Sequence, residues 1–202
     1  MCHAFEKGVV LKQDVPPSQH AANLIGALSL GLADRIVAET EALIGAGANA
    51  SAALILIGSR PDMTIDDLRH GVKLTHSATV RTVMRLQAAG LVEKHSGEDG
   101  RSVYLRLSPK GRRDMARVQK LRERILEAAL ADLSQAELRQ FGAMAARVLP
   151  NIVPESVSVD AICRLCDGKV CPDAICPLTP ERDARWRGGA PQECRSGVSQ
   201  PQ

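Results

Sequence analysis

Residues 74–111 read LTHSATVRTVMRLQAAGLVEKHSGEDGRSVYLRLSPKG, and two changes of period within them decide the fold. Thr75 is placed to cap a helix that runs through Ala89 and is closed by Gly90. After Gly90 the period shortens. Leu91–His95 predicts a short strand, and the Ser96–Gly100 cluster predicts a turn. Arg101–Leu107 partly alternates, with Val103, Leu105 and Leu107 on one face. Two short strands around a Gly-bearing loop make a β-hairpin. Ser108-Pro109 then opens another helix, with Pro at a tolerated first-turn position.

Upstream, Thr64 can cap a short helix with Ile65 and Leu68 on its inner face and Asp66 and Asp67 in its first turn. His70-Gly71 closes it. The order helix, helix, hairpin over residues 62–107 is that of a winged helix-turn-helix. Before it, Ser18 can cap a helix that runs with helical spacing to about Ile44 and stops at Gly45-Ala46-Gly47, and Asn49 or Ser51 can cap a buried helix through Ile57. After it, Met115, Val118, Leu121, Ile125, Ala128 and Leu133 repeat at helical intervals. Ser134-Gln135-Ala136-Glu137 is a capping box for one more helix, ending near Pro150. The expected architecture is therefore mainly α with a small β-hairpin wing. It comprises a flexible leader over 1–17, a winged-helix domain with flanking helices over 18–150 (wing 91–107), a cysteine-rich module over 151–181, and a disordered tail over 182–202.

Composition agrees with this plan. Aromatics are 2% of 202 residues, so the core is built from aliphatic side chains, which suit helices. The net charge is only +3, but residues 60–124 hold 15 Lys/Arg against 8 Asp/Glu. A central basic block favours a polyanionic partner, although a solvated helical face has the same composition. The start lacks a basic segment followed by an apolar one, and the apolar run Ala52–Gly58 is too short for a bilayer, so a cytoplasmic protein without membrane attachment is expected.

In a helix-turn-helix the second helix lies in the major groove, with its N-terminal part at the base edges. Val80, Val83, Met84 and Gln87 point broadly one way, toward Ile65 and Leu68. Ser77, Arg81 and Arg85 share another face. Thr75, His76 and Ser77, with Thr79, put short polar groups at the helix start, where free N–H groups meet phosphate. Arg81 is the candidate for guanine O6 and N7, and Arg85 can reach a base or a phosphate. At the hairpin tip, Arg101 can enter a narrow minor groove, and Asp99 can orient it by an ion pair. An ordinary surface helix and turn remain the plainer readings of these positions.

Thr64-Ile65-Asp66-Asp67-Leu68, His76-Ser77-Ala78-Thr79-Val80-Arg81 through Leu91-Val92, Asp99-Gly100-Arg101, and Leu107-Ser108-Pro109-Lys110-Gly111 together resemble the MarR family of bacterial regulators over roughly residues 20–150. The resemblance implies a homodimer joined by the first and the last two helices. It implies a pseudo-palindromic double-stranded operator and, in most cases, a repressor relieved by a small-molecule effector or by oxidation. It also implies DNA-binding roles for Ser77, Arg81, Asp99 and Arg101. Dimerisation has a separate physical argument: the terminal helices carry more apolar positions than one small domain can cover.

Cys163, Cys166, Cys171 and Cys176 form C-x2-C-x4-C-x4-C. Four soft thiolates in so short a loop can converge on one metal centre. Zinc is the simplest occupant and slightly preferred. An iron–sulfur cluster is the alternative, favoured a little by Cys171-Pro172 and Cys176-Pro177, and a metal-free thiol switch is a third. The module departs from the ordinary family pattern and points to metal or redox sensing. Cys2 and Cys194 stand apart from it. No nucleophile–base pair, phosphate loop or paired catalytic carboxylates is visible, so an enzyme is not expected. The competing function is a redox or electron-transfer protein whose winged region serves only for dimerisation.

Overall fold

A computed structural model describes residues 16–60, 62–97, 102–154 and 156–180. The leader up to residue 15, the wing tip 98–101 and the tail from 181 lie outside the described residues. The elements are α1 (Pro17–Ile44), α2 (Ala50–Ser59), α3 (Ile65–Val72), α4 (His76–Ala88), β1 (Val92–Ser96), β2 (Val103–Leu107), α5 (Pro109–Ala129), α6 (Gln135–Val148), a 3-10 turn (Leu149–Ile152) and α7 (Val159–Cys163). The architecture is mainly helical with one antiparallel hairpin, as the periodicity predicts. Compactness divides the chain into two units, one ending at Arg35 and one beginning at Ile36.

In the first unit, α1 begins at Pro17, so Ser18 lies inside the helix and does not cap it: Pro17 suits a first helical position, and the Pro16 carbonyl accepts from the Gln19 and His20 N–H groups. Leu24, Ile25, Leu28 and Leu30 are all exposed on it. Among the described residues α1 is the one helix long and apolar enough to cross a membrane. No unbroken run of large apolar residues marks it in the sequence, because small Ala, Gly and Ser residues are interspersed among them.

In the second unit, α2 is the central post. Every residue from Ala50 to Ile57 is buried, the mark of a helix enclosed on all sides. Neither Asn49 nor Ser51 caps it through a side chain. Asn49 takes a left-handed φ of 64° and its N–H donates to Glu41 Oε1 at 2.6 Å, while the Ser51 hydroxyl donates to the Thr40 carbonyl at 2.8 Å. Burial gave both residues tertiary partners in place of the cap. Around α2 sit Met63, Leu68, Val72, Val83, Leu86, Leu91, Leu105 and Leu107, one continuous aliphatic core.

The capping boxes at Thr64/Asp67 and Ser134/Glu137 both form, and Thr75 and Ser108 cap α4 and α5. The strands pair from Val92↔Leu107 to Ser96↔Val103. Leu105 and Leu107 face the core, but Val103 at the strand's outer end is exposed. The segment before α3 adds a bridge that the sequence does not reveal, with the Leu105 N–H donating to the Met63 carbonyl at 2.8 Å. This ties the start of α3 to the wing.

The closest joint is at the end of the hairpin. The backbone of Gly111 runs so near the Leu91 carbonyl that any Cβ there would collide with it. We expect Gly111→Ala to destabilise the fold by about 1–3 kcal/mol, the usual cost of forcing an atom into a filled site. A lowered urea midpoint with an unchanged slope would show this; an unchanged midpoint would refute it.

Candidate nucleic-acid interface

Helix α4 stands on the core along Thr79, Thr82, Val83 and Leu86, spaced i, i+3, i+4, i+7. This corrects two expectations. Met84, assigned to the inner face, is 59% exposed, and Thr79, assigned to the DNA-facing set, is fully buried. The physical reason is that threonine can turn its methyl inward when its hydroxyl has a local acceptor. Thr79 Oγ1 donates to the Thr75 carbonyl at 3.0 Å and Thr82 Oγ1 to the Ala78 carbonyl at 3.1 Å.

The outer face keeps Thr75, His76, Ser77 and Arg81, all exposed. Thr75 Oγ1 accepts from the Ala78 N–H at 3.3 Å and lies 3.3 Å from Ser77 Oγ. The helix N-terminus thus presents hydroxyls and backbone N–H groups together, a combination that suits an anion. Arg81 follows one turn later on the same side. Arg85 is exposed as a residue but its guanidinium folds back: Nη2 donates to Thr82 Oγ1 at 3.2 Å, and Nη1 lies against Gly47. That geometry favours bracing α4 on the loop before α2 over reaching a base. Helix α3 runs past the expected His70-Gly71 stop to Val72, and its left-handed cap Lys73, exposed just ahead of Thr75, adds a cation to this face. Asp99 and Arg101 lie outside the described residues.

Acidic groups close to this face are engaged. A hydrogen bond from the Arg69 guanidinium, at 2.5 Å, holds Asp66 below its ordinary carboxylate range, and His70 stands 3.7 Å from the same carboxyl group. Asp62 meets Arg106 at 3.4 Å. On the far helix α6, hydrogen bonds from Ser134 lower the Glu137 pKa in the same direction.

The four cysteines lie in the second unit, each partly buried. Successive tight turns place them: the Cys166 N–H donates to the Cys163 carbonyl at 2.8 Å, Cys171 to Asp167 at 2.9 Å, and Cys176 to Pro172 at 3.0 Å. Cys163 and Cys176 pack on a small apolar nucleus of Val153, Val159 and Leu178. All four line one cavity of about 470 Å³. Among the described residues, no three His, Cys, Asp or Glu side chains stand as a ready ligand set for a metal ion. Cys2 and Cys194 lie outside the described residues.

The geometry defines a winged-helix module with an anion-suited recognition helix. Residues 46–102 match the MarR family model. An uncharacterized HTH-type transcriptional regulator of Bacillus subtilis (strain 168), YdgJ, is 28% identical over 113 residues, which are 55% of this chain and 69% of that protein. Among solved structures, a MarR family protein from Bacillus stearothermophilus superposes with a TM-score of 0.60 at 24% identity, covering 67% of this chain and 94% of that one. Streptococcus pneumoniae FabT, solved in complex with DNA, gives 0.55 at 19% identity, covering 65% and 96%. These structures share the fold with this chain, and YdgJ is named as a transcriptional regulator.

The buried and exposed threonines of α4 should separate experimentally. Thr79→Val should cost about 1 kcal/mol of stability, the usual worth of a hydrogen bond. Ser77→Ala should leave the urea midpoint within the roughly 0.5 kcal/mol typical of surface changes and weaken binding to duplex DNA. The opposite pattern, with Thr79→Val silent in stability and defective in binding, would return Thr79 to the interface.

Proposed function

We propose that this chain is a dimeric, cytoplasmic, DNA-binding transcription regulator of the MarR type, acting as a repressor at a pseudo-palindromic operator. One observation carries the reading: the N-terminal face of α4, with Thr75, His76, Ser77 and Arg81 exposed, stands on a fully buried Thr79-Thr82-Val83-Leu86 stripe. That arrangement holds the recognition helix rigidly and leaves its groove-facing side polar and cationic. Thr75, His76 and Ser77 contact phosphates, Arg81 reads a base, and Asp99 with Arg101 serve the wing. Lys73 adds a phosphate contact.

A second copy of the chain covers the apolar residues left exposed on the flanking helices. These are Leu24, Ile25, Leu28 and Leu30 on α1, and Phe141, Met144 and Val148 on α6, none of whose residues is buried. Apolar surface of this kind on a soluble protein marks an interface. Two-fold pairing would bring two α4 helices to half-sites one DNA turn apart.

Cys163, Cys166, Cys171 and Cys176 hold a metal centre that modulates or braces operator binding, with zinc slightly preferred to an iron–sulfur cluster. Their shared cavity and the soft donor set support this. A small-molecule effector is compatible with the same regulator.

The test is a titration of the purified protein against duplex DNA from its own upstream region at several salt concentrations. Binding should weaken steeply with salt. Arg81→Ala should cost about 1–3 kcal/mol on the specific duplex and much less on random DNA. Affinity no better than for random DNA would overturn the regulator reading. In detergent-free buffer the protein should sediment as a dimer, and Phe141→Glu should shift it toward monomer. A monomeric wild type would overturn the dimer.

A further inference from the structure

The cysteine module is docked on the winged helix, and the docking is built from particular residues. Its cavity is lined by Ile55, Leu56 and Gly58 of α2 and Met115 and Gln119 of α5 together with the four cysteines. Leu165, between the first two cysteines, packs against the main core. Helix α7, which ends on Cys163, packs along α3, the first helix of the helix-turn-helix. At Gly71 of α3, the missing side chain lets Leu56 and Asp160 come against the helix. Asp160, in the first turn of α7, is held by Arg60 from the link between α2 and α3, with Nη2 to Oδ1 at 2.5 Å. The Asp160 side chain is only 14% exposed and that of Arg60 30%, so this pair is shielded more than a surface ion pair.

We propose that a thiolate-bound metal centre in this cavity sets the position of α3 through α7, with Arg60–Asp160 as the pin that couples the two. The inference rests on the reading of the cysteines as metal ligands. Its mechanical logic is short. Closing four thiolates on one centre draws the 163–176 turns together and fixes the C-terminal end of α7. The pin draws the link that leads into α3, and the contact of Asp160 with Gly71 makes α3 itself follow. Because the Met63 bridge to Leu105 holds the other end of α3 to the wing, and α3 packs on α4, a shift of α3 reaches both α4 and the hairpin.

The experiment uses the full chain, stripped of metal by chelator under anaerobic reducing conditions. It is then loaded in one arm with zinc ions and in another with ferrous iron and sulfide. Bound metal is counted, and amide hydrogen exchange is followed over residues 64–75. In the wild type, loading should slow exchange there and change affinity for duplex DNA by about tenfold, within the range usual for linked sites. In Arg60→Ala and in Asp160→Asn, metal should still bind while both responses vanish. The swap Arg60→Asp with Asp160→Arg should restore them, which a merely destabilised variant would not do. Metal bound with no change in exchange over 64–75 would overturn the coupling and leave the metal reading standing. No metal bound in either arm would overturn both. Retention of the full response in Arg60→Ala and Asp160→Asn would remove the pin.

Discussion

Ser108 is the knot on which the winged helix depends. Its N–H donates to the Leu91 carbonyl at 3.0 Å, its hydroxyl donates to the Gly90 carbonyl at 2.7 Å, and the same oxygen accepts from the Gly111 N–H at 2.9 Å. Lys110 adds a bond from Nζ to the Ala89 carbonyl at 2.8 Å. The exit of α4 and the entry of α5 are thereby tied across the base of the hairpin. Carbonyls freed by the end of α4 need partners, and the first turn of α5 needs a cap. One serine meets part of both needs, so the recognition helix, the wing and the long helix behind them are held as one body.

With that joint in place, the rest of the interface follows from which groups already have partners. Threonines of α4 that satisfy their hydroxyls on their own backbone can face the core. Those at the helix start, whose neighbours are free N–H groups, face outward. Arg85 is drawn back to Thr82 and Gly47, and Arg81 stays on the exposed side. The acidic side chains of α3 do not oppose this face as bare charges, since Asp66 is engaged by Arg69 and Asp67 by the Thr64 cap. A net basic segment thus becomes a directed basic surface.

The C-terminal module makes the same point for packing. Its own apolar nucleus, Val153, Val159 and Leu178 with a few neighbours, is small. A nucleus of that size cannot stabilise an independent domain. The module leans on α2, α3 and α5 for the rest of its burial, and that dependence brings the cysteines and the helix-turn-helix into one body.

Much of this was written locally. Ser, Thr, Asp and Glu at helix starts, the Gly-bearing turns and the change from a helical to an alternating period are effects between residues a few positions apart. They mark most of the elements, the Ser134–Glu137 capping box and the order helix, helix, hairpin from sequence alone. The four-cysteine spacing is local in the same sense. Tertiary structure decided what depends on distant partners. It turned Thr79 inward and Met84 outward, took Asn49 and Ser51 away from capping α2, and bridged Met63 to Leu105. It also formed α7 and paired Asp160 with Arg60, a hundred residues away. A side chain's face and partner are set by the lowest free energy of the whole packed arrangement, and short-range pattern carries no record of which distant group will be there to meet it.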